Sequence, residues 1–351
     1  MTLDRIPKTG ITLVAVILTC AALMSASSVF APLALALFVI ALVWPMQNRI
    51  ESMAPKGIAL LACMAVILLA FSIFGWLIVW AVSRISRAMI ADSAKFQAMY
   101  EQINIWVASH GVDITTLWSD HFNVGWMLRA AQAFGSRLNN LMSFSVIALV
   151  YVLLGLLEVN AFRVKIKSMK NRTASEVLLN GLRVTSYKLR RYTFVRSQMS
   201  LITGLLVFML TYAIGLPLAK EWGVIAFVLN FIPFLGPFFA TLLPTLYSAA
   251  EFQSWQATLG LFIGLNAIQS TVGSYVEPRV SGSALSISPF IVLLSIFFWT
   301  YMWGIFGAFI GVPITIAILS FCAQHSATEW IGLLLANGAL AVEDDKGDAQ
   351  A

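Results

Sequence analysis

Long uncharged apolar intervals set the rhythm of the chain. Lys8 and Arg49 enclose forty residues, 9–48, without a single Asp, Glu, Lys or Arg. Further charge-free intervals cover 57–83, 138–157, 197–219, 222–250, 252–276 and 280–328. About 18 to 20 mostly apolar residues, rising about 1.5 Å each as a helix, cross a hydrocarbon core about 30 Å thick. The first interval is long enough for two helices divided near Ser25, Ser27 and Ser28, so the pattern predicts about eight transmembrane helices. The intervals are continuous rather than alternating over about ten residues, which selects helices over a closed β-barrel. A cleaved leader is a competing reading of the first run, but 29–44 follows it at once, and removal would leave an odd number of crossings.

Between the spans the pattern changes. Ile85, Met89, Phe96, Met99, Ile103 and Trp106 fall at three-four spacing, broken only at Asp92, which predicts an amphipathic helix. His110 and Gly111 end it, and a second helical stretch around Phe122, Trp126 and Leu138 returns to the fourth span. The stretch 163–196 predicts another amphipathic helix, with Leu178, Leu179, Leu182 and Leu189 on its membrane side. The resulting division is transmembrane helices 1–3 (1–82), an extracytoplasmic amphipathic segment (83–142), helix 4 (143–162) and a basic cytoplasmic segment (163–198). Helices 5–8 (199–328) and a cytoplasmic tail (329–351), acidic and unstructured over 343–351, complete it.

Composition sharpens this picture. Hydrophobic residues make up 60% and charged residues 11% of 351, too little polar surface for a water-soluble body. Cys20, Cys63 and Cys322 all lie in apolar runs and offer neither a disulfide framework nor a metal cluster. His110 and His121 lack acidic or cysteine partners at ligand spacing, so no metal or cofactor is expected. The net charge of +6 is concentrated beside the spans: 163–196 holds ten basic residues against Glu176 alone. With Arg5, Lys8, Arg49 and Lys56 these residues place both termini and 163–196 in the cytoplasm and 84–142 outside. No aromatic platform accompanies the basic stretch, so membrane lipid is its expected partner and nucleic acid is not. A nucleophile elbow, an HExxH and a GxxxxGK[ST] loop are all missing, so the chain does not read as an enzyme.

Two intervals are interrupted densely. The first runs from Asn230 through Pro233, Gly236, Pro237 and Thr241 to Pro244. The second runs from Glu277 through Pro278, Arg279 and Gly282 to Ser286, Ser288 and Pro289, and then into an apolar run punctuated by Gly304, Gly307, Gly311 and Pro313. Proline frees a helix carbonyl that lipid cannot satisfy, and paired broken helices are where transporters hold their solutes. The expectation is a secondary transporter in which these two regions surround a small polar solute. Asn230, Thr241, Asn266, Gln269, Ser274, Glu277 and Arg279 are the candidate binding residues. Pro233, Gly236, Pro237, Pro244, Pro278, Gly282, Pro289, Gly304, Gly307 and Pro313 shape the breaks. The neutral groups suit a hydroxyl-rich ligand, while Glu277 and Arg279 read as an ion pair or, if Glu277 titrates, as a proton-coupling site. Gly260 with Gly264 and Gly307 with Gly311 have the spacing of close helix contacts, within one chain or between the chains of a homo-oligomer.

These same residues carry a resemblance. The run Leu229, Asn230, Phe231, Ile232, Pro233, Phe234, Leu235, Gly236, Pro237, the run Glu277, Pro278, Arg279, Val280, Ser281, Gly282, and then Ser288, Pro289 and 299–313 are similar to the autoinducer-2 exporter family of bacterial inner-membrane permeases. Tyr192, Arg196 and Gln198, and Leu157, Glu158 and Val159, add to the likeness, which covers nearly the whole chain. The resemblance implies an eight-span, oligomeric permease. Some members are linked to export of the quorum-sensing signal autoinducer-2, and others to sodium or lithium/proton antiport. A non-transporting membrane scaffold, binding a partner through its outer amphipathic segment, is the rival of another class.

Overall fold

The computed structural model describes residues 5–110, 124–281, 287–324, 328 and 330. The expected contributions of His121, Phe122, Gly282, Ser286 and the 343–351 tail lie outside the described residues. The described elements are all helical: α1 (Arg5–Ser25), α2 (Ser27–Glu51), α3 (Lys56–Ala91), α4 (Ser93–Ser109), α5 (Val124–Lys167), α6 (Arg172–Ala213), α7 (Ala219–Leu229), α8 (Leu235–Phe252), α9 (Trp255–Thr271), a π-helical turn (Val272–Val276), α10 (Glu277–Ser281) and α11 (Pro289–Cys322). Among the described residues six helices are long and apolar enough to cross a membrane, at 27–51, 56–91, 143–167, 172–213, 255–280 and 289–322, with a shorter apolar helix at 14–25. The chain is therefore an all-α, multi-pass membrane protein.

The structure redistributes two of the expected spans. The interval 222–250 is not one crossing but two helices, α7 of 11 residues and α8 of 18, joined by a break at 230–234 and packed side by side. Likewise α11 contains a reversal at Trp303 (φ −134°, ψ 17°) and Gly304 (φ 63°, ψ −142°). Its two arms pack against each other, with Ser295 Oγ 2.6 Å from Thr315 Oγ1 and Trp299 Nε1 donating to Thr315 Oγ1 at 3.4 Å. Gly307 lies against the Trp299 carbonyl, leaving no room for a Cβ, and Gly311 faces the Trp299 side chain. This glycine pair thus closes a hairpin within one chain.

The chain forms two compact units. One comprises 1–63, 143–190 and 285–351. In it α2 buries Ala31, Pro32, Ala36 and Val39 and packs on α11, while Trp303 Nε1 ties the reversal to the Leu23 carbonyl at 3.1 Å. The basic segment is divided between two helices rather than forming one: its first residues end α5 at Lys167, and the rest open α6, which runs from Arg172 for 42 residues. Its first turns are fixed by Ser175 Oγ donating to the Ile166 carbonyl (2.8 Å) and Asn180 Nδ2 to Gln324 Oε1 (2.6 Å).

The other unit comprises 64–142 and 191–284. The amphipathic stretch after Asp92 is α4, and its Phe96 enters a core with Trp222, Tyr247, Leu261 and Leu265. Ile85, Met89 and Met99 pack around that core, as their spacing predicted. Ion pairs fix the same end of the unit. Arg84 meets Glu221 at 2.9 Å, and Lys95 meets Glu251 at 2.8 Å and Asp92 at 3.2 Å. The hydrogen bonds to Glu251 and then Asp92 raise the Lys95 pKa above its ordinary value, so this link holds below the usual lysine range and is lost only as pH rises above it.

Close glycine contacts at α11 give a direct test of its reversal. Gly307→Ala must push a Cβ into the Trp299 carbonyl and should cost about 1 to 3 kcal/mol or more. Gly260→Ala, in open space inside α9, gains helix propensity and should not lower the melting temperature in detergent. Equal melting temperatures for the two variants would contradict the hairpin.

Candidate functional site

The second unit concentrates the chemistry on one face of α6. Tyr192, Arg196, Ser200 and Thr203 recur at three-four spacing on α6, so they share a stripe. Arg196, Ser200 and Thr203 are 5%, 0% and 0% exposed. Buried charge and hydroxyls in such a helix demand partners, and the structure supplies them from two other elements.

The first is the α7–α8 break. Phe234 adopts φ 60°, and Gly236 sits so close to the Leu229 carbonyl that any Cβ would collide with it. Pro233 cannot donate a backbone hydrogen bond, which helps hold the turn open as a non-helical tip, while Pro237 sits in the first turn of α8, where no donor is needed. Asn230, 5% exposed, closes α7 there and donates from Nδ2 to Ser200 Oγ at 3.3 Å. Phe231, also in the break, packs edge-on against Phe74 at 5.6 Å and Phe227 at 5.5 Å.

The second is the end of α9. There the helix widens to a π-turn at Val272–Val276, which absorbs one extra residue before Glu277 and Pro278 and lets α10 continue instead of breaking. Glu277 accepts from Arg196 Nη1 through both oxygens, at 2.7 and 2.9 Å. Val195, Met199 and Val272 form the apolar contact beside this pair, and Arg191 Nη2 donates to the Val280 carbonyl at 2.6 Å.

Several buried polar atoms along this face are unused. Arg196 Nε and Thr203 Oγ1 have no hydrogen-bond partner, nor has Gln269 Nε2 on α9, and the Tyr192 hydroxyl lies beside Arg196. The stripe is therefore neutral in sum, because Arg196 is matched by Glu277, yet it offers spare donors and hydroxyls at membrane depth. Such a set can engage hydroxyl or carbonyl oxygens of a solute without having to neutralise a charge. Among the described residues no group of three His, Cys, Asp or Glu side chains could hold a metal.

The residues singled out by sequence separate into those near the stripe and those away from it. Asn230 and Glu277 contact the stripe, Gln269 lies on α9 next to Ile268, which packs beside Val195 and Met199, and Thr241 is buried on α8 with its carbonyl accepting from Thr245. Asn266 is exposed and folds back on the Phe262 carbonyl of its own helix, while Ser274 and Arg279 are also exposed. The anticipated Glu277–Arg279 pair is thus replaced by Glu277–Arg196. Pro244 is buried inside α8, and Pro278 comes directly after the π-turn and Glu277. In α11, Pro289 starts the helix, Gly304 forms the reversal, and Pro313 is buried in the second arm. Arg196, Ser200 and Thr203 are not among the candidate binding residues, although polar residues at three-four spacing along one helix are the signal that finds them.

Comparison with known proteins settles the lineage. The sequence profile of the AI-2E family transporter matches residues 11–326. The chain belongs to that family. Among relatives, the AI-2 transport protein TqsA of Escherichia coli strain K12 is 25% identical over 89% of this chain and 90% of its own. A candidate transport protein of Borreliella burgdorferi is 32% identical over 49% of this chain, a match spanning only about half (48%) of that relative. YrrI, a candidate transport protein of Bacillus subtilis strain 168, is 24% identical over 85% of this chain and 86% of its own. Membership in the AI-2E family makes transport the activity to explain.

The Arg196–Glu277 pair yields a prediction that separates its two members. Either Arg196→Ala or Glu277→Ala strands a charge and should cost about 3 kcal/mol of unfolding free energy, the lower end for a buried pair because Glu277 is partly exposed. The double substitution should cost less than the sum of the two. Additive losses in a double-mutant cycle would show that the two groups do not interact.

Proposed function

We propose that the chain is a secondary permease that exports a small polar solute across the bacterial inner membrane, with autoinducer-2 as the leading candidate. The name of the Escherichia coli relative motivates that candidate, and the chemistry of the stripe agrees with a solute rich in oxygen atoms. The observation that carries the proposal is the row of unused buried polar atoms along α6, beside a proline- and glycine-shaped tip whose Asn230 reaches Ser200 through a long hydrogen bond. Displacing the tip from Ser200 opens the face of α6 that carries Arg196 and Thr203 to a solute. Returning it closes that face again, which is the gating that alternating access needs.

Both termini are cytoplasmic in this proposal, because the basic residues cluster on that side. Several copies of the chain assemble, and Gly260 lies on an exposed face of α9 where another helix could approach. Sodium/proton or lithium/proton antiport fits less well, since both Glu277 oxygens are already engaged by Arg196. A pure scaffold gives no role to the buried stripe, and the α4 surface it would use is in part committed to the unit's own core through Phe96.

Proteoliposomes loaded with the solute provide the test. Asn230→Ala and Gln269→Leu should each slow efflux about three- to tenfold, the worth of one hydrogen bond. Asn266→Ala, on the exposed face, should match the parent. Parental rates for both site variants, with normal folding, would place the solute elsewhere. A pH gradient collapsed by sodium or lithium in a Glu277-dependent manner would favour antiport.

A further inference from the structure

A pocket of about 360 Å³ opens in the unit built from 1–63, 143–190 and 285–351, where the last turn of α2 meets the start of α3 and the later part of α5. That volume suits a small organic molecule and greatly exceeds a single bare ion. The floor of the pocket is polar. Glu51 accepts from Gln47 Nε2 at 2.8 Å and from Asn160 Nδ2 at 3.1 Å. Gln47 Nε2 also reaches the Leu156 carbonyl at 3.3 Å, and Asn160 Oδ1 accepts from Trp44 Nε1 at 3.3 Å. Both amides are therefore fixed with their nitrogens towards Glu51.

This arrangement leaves two complementary needs. Gln47 is 3% exposed, and its Oε1 is buried without any hydrogen-bond partner. Glu51 has no ion-pair partner among the described residues. Arg163, three residues beyond Asn160, stacks 4.5 Å from the Trp44 ring centre instead. Lys56 stands exposed at the rim, and Leu60 and Leu157 supply apolar walls. A buried acceptor without a donor is unfavourable, and the half-buried Glu51 carboxylate beside it can take a cation. One chemical group satisfies both, because an R–NH₃⁺ brings positive charge and several N–H donors together.

We propose that this pocket binds a primary ammonium group, seated between the Glu51 carboxylate and Gln47 Oε1, with the rest of the molecule along the leucine wall. Two sources share that chemistry. One is a small soluble amine; the other is an aminophospholipid headgroup whose phosphate would lie near Lys56. The pocket's place at the junction of the apolar spans with Arg49, Lys56, Arg163 and Lys165 is compatible with either. The proposal is independent of the permease reading, since none of its residues belongs to the α6 stripe.

The test uses the full-length protein and reads binding rather than flux. In detergent, n-butylamine at a pH where it is protonated should raise the melting temperature saturably, whereas tetramethylammonium, which has no N–H, and sodium should not. In nanodiscs, phosphatidylethanolamine should stabilise the protein relative to phosphatidylcholine alone if the lipid is the source. Glu51→Gln should weaken the response about tenfold or more, the scale of a charge-assisted hydrogen bond. Leu60→Trp, which fills the space without touching the polar floor, should remove it as well. A response to either primary amine that both variants lose supports the site, and the probe that elicits it identifies the source. Equal responses to tetramethylammonium or sodium, undiminished responses in the two variants, or no response to any primary amine would overturn it.

Discussion

Lipid offers no hydrogen bonds, so every peptide group carried to membrane depth must find its partner within the protein. That requirement explains the long helices and gives the two reversals their weight. At 230–234 and at Trp303–Gly304 the helical ladder stops inside otherwise apolar sequence. In each case a glycine lets the two arms of the reversal close tightly on one another. Gly236 against the Leu229 carbonyl and Gly307 against the Trp299 carbonyl are the two contacts at which anything larger than hydrogen would reopen the fold.

The first reversal also sets the direction of the next helix. Because α7 and α8 return to the end from which they left, α9 starts near the Lys95–Glu251 pair and finishes beside Arg196. A single crossing at 222–250 would have carried Glu277 to the opposite end of α6. The hairpin is thus what allows Arg196 and Glu277 to meet, and their meeting neutralises the one permanent charge on the stripe. The face then retains a set of neutral, partly unused groups, a better match to an uncharged oxygen-rich solute than to a metal ion.

Much of this was legible in the sequence. Charge-free intervals marked most of the long helices, though 222–250 folds as a hairpin, and the three-four spacing of Ile85, Met89, Phe96 and Met99 marked the buried face, which the end of α3 and α4 share rather than one helix. The tip at Asn230–Gly236 could be read from Pro233, Gly236 and Pro237, which cannot sustain a helix there. Pro278 misled in the other direction: a π-turn upstream absorbs its missing donor, so the neighbouring helix continues. The break in the last apolar run moved instead to Gly304, where the sequence shows only one glycine among many. Arg196 escaped as a site residue because it closes a basic segment whose other members explain themselves as topology signals, and only its burial separates it from them. The pairing of Glu277 across 81 residues rather than with its neighbour Arg279 depends on the direction of α9, which no local pattern encodes.

The shortness of α7 has a bearing on how the protein is made. Eleven residues rise only about 16 Å, roughly half a bilayer core, so this helix cannot anchor itself there while the ribosome is still extending the chain. It must wait in the translocon or at its margin until α8 emerges to pair with it. A nascent chain halted between 230 and 252 would therefore hold an orphaned half-segment, the kind of species that membrane proteases and insertion chaperones are suited to recognise.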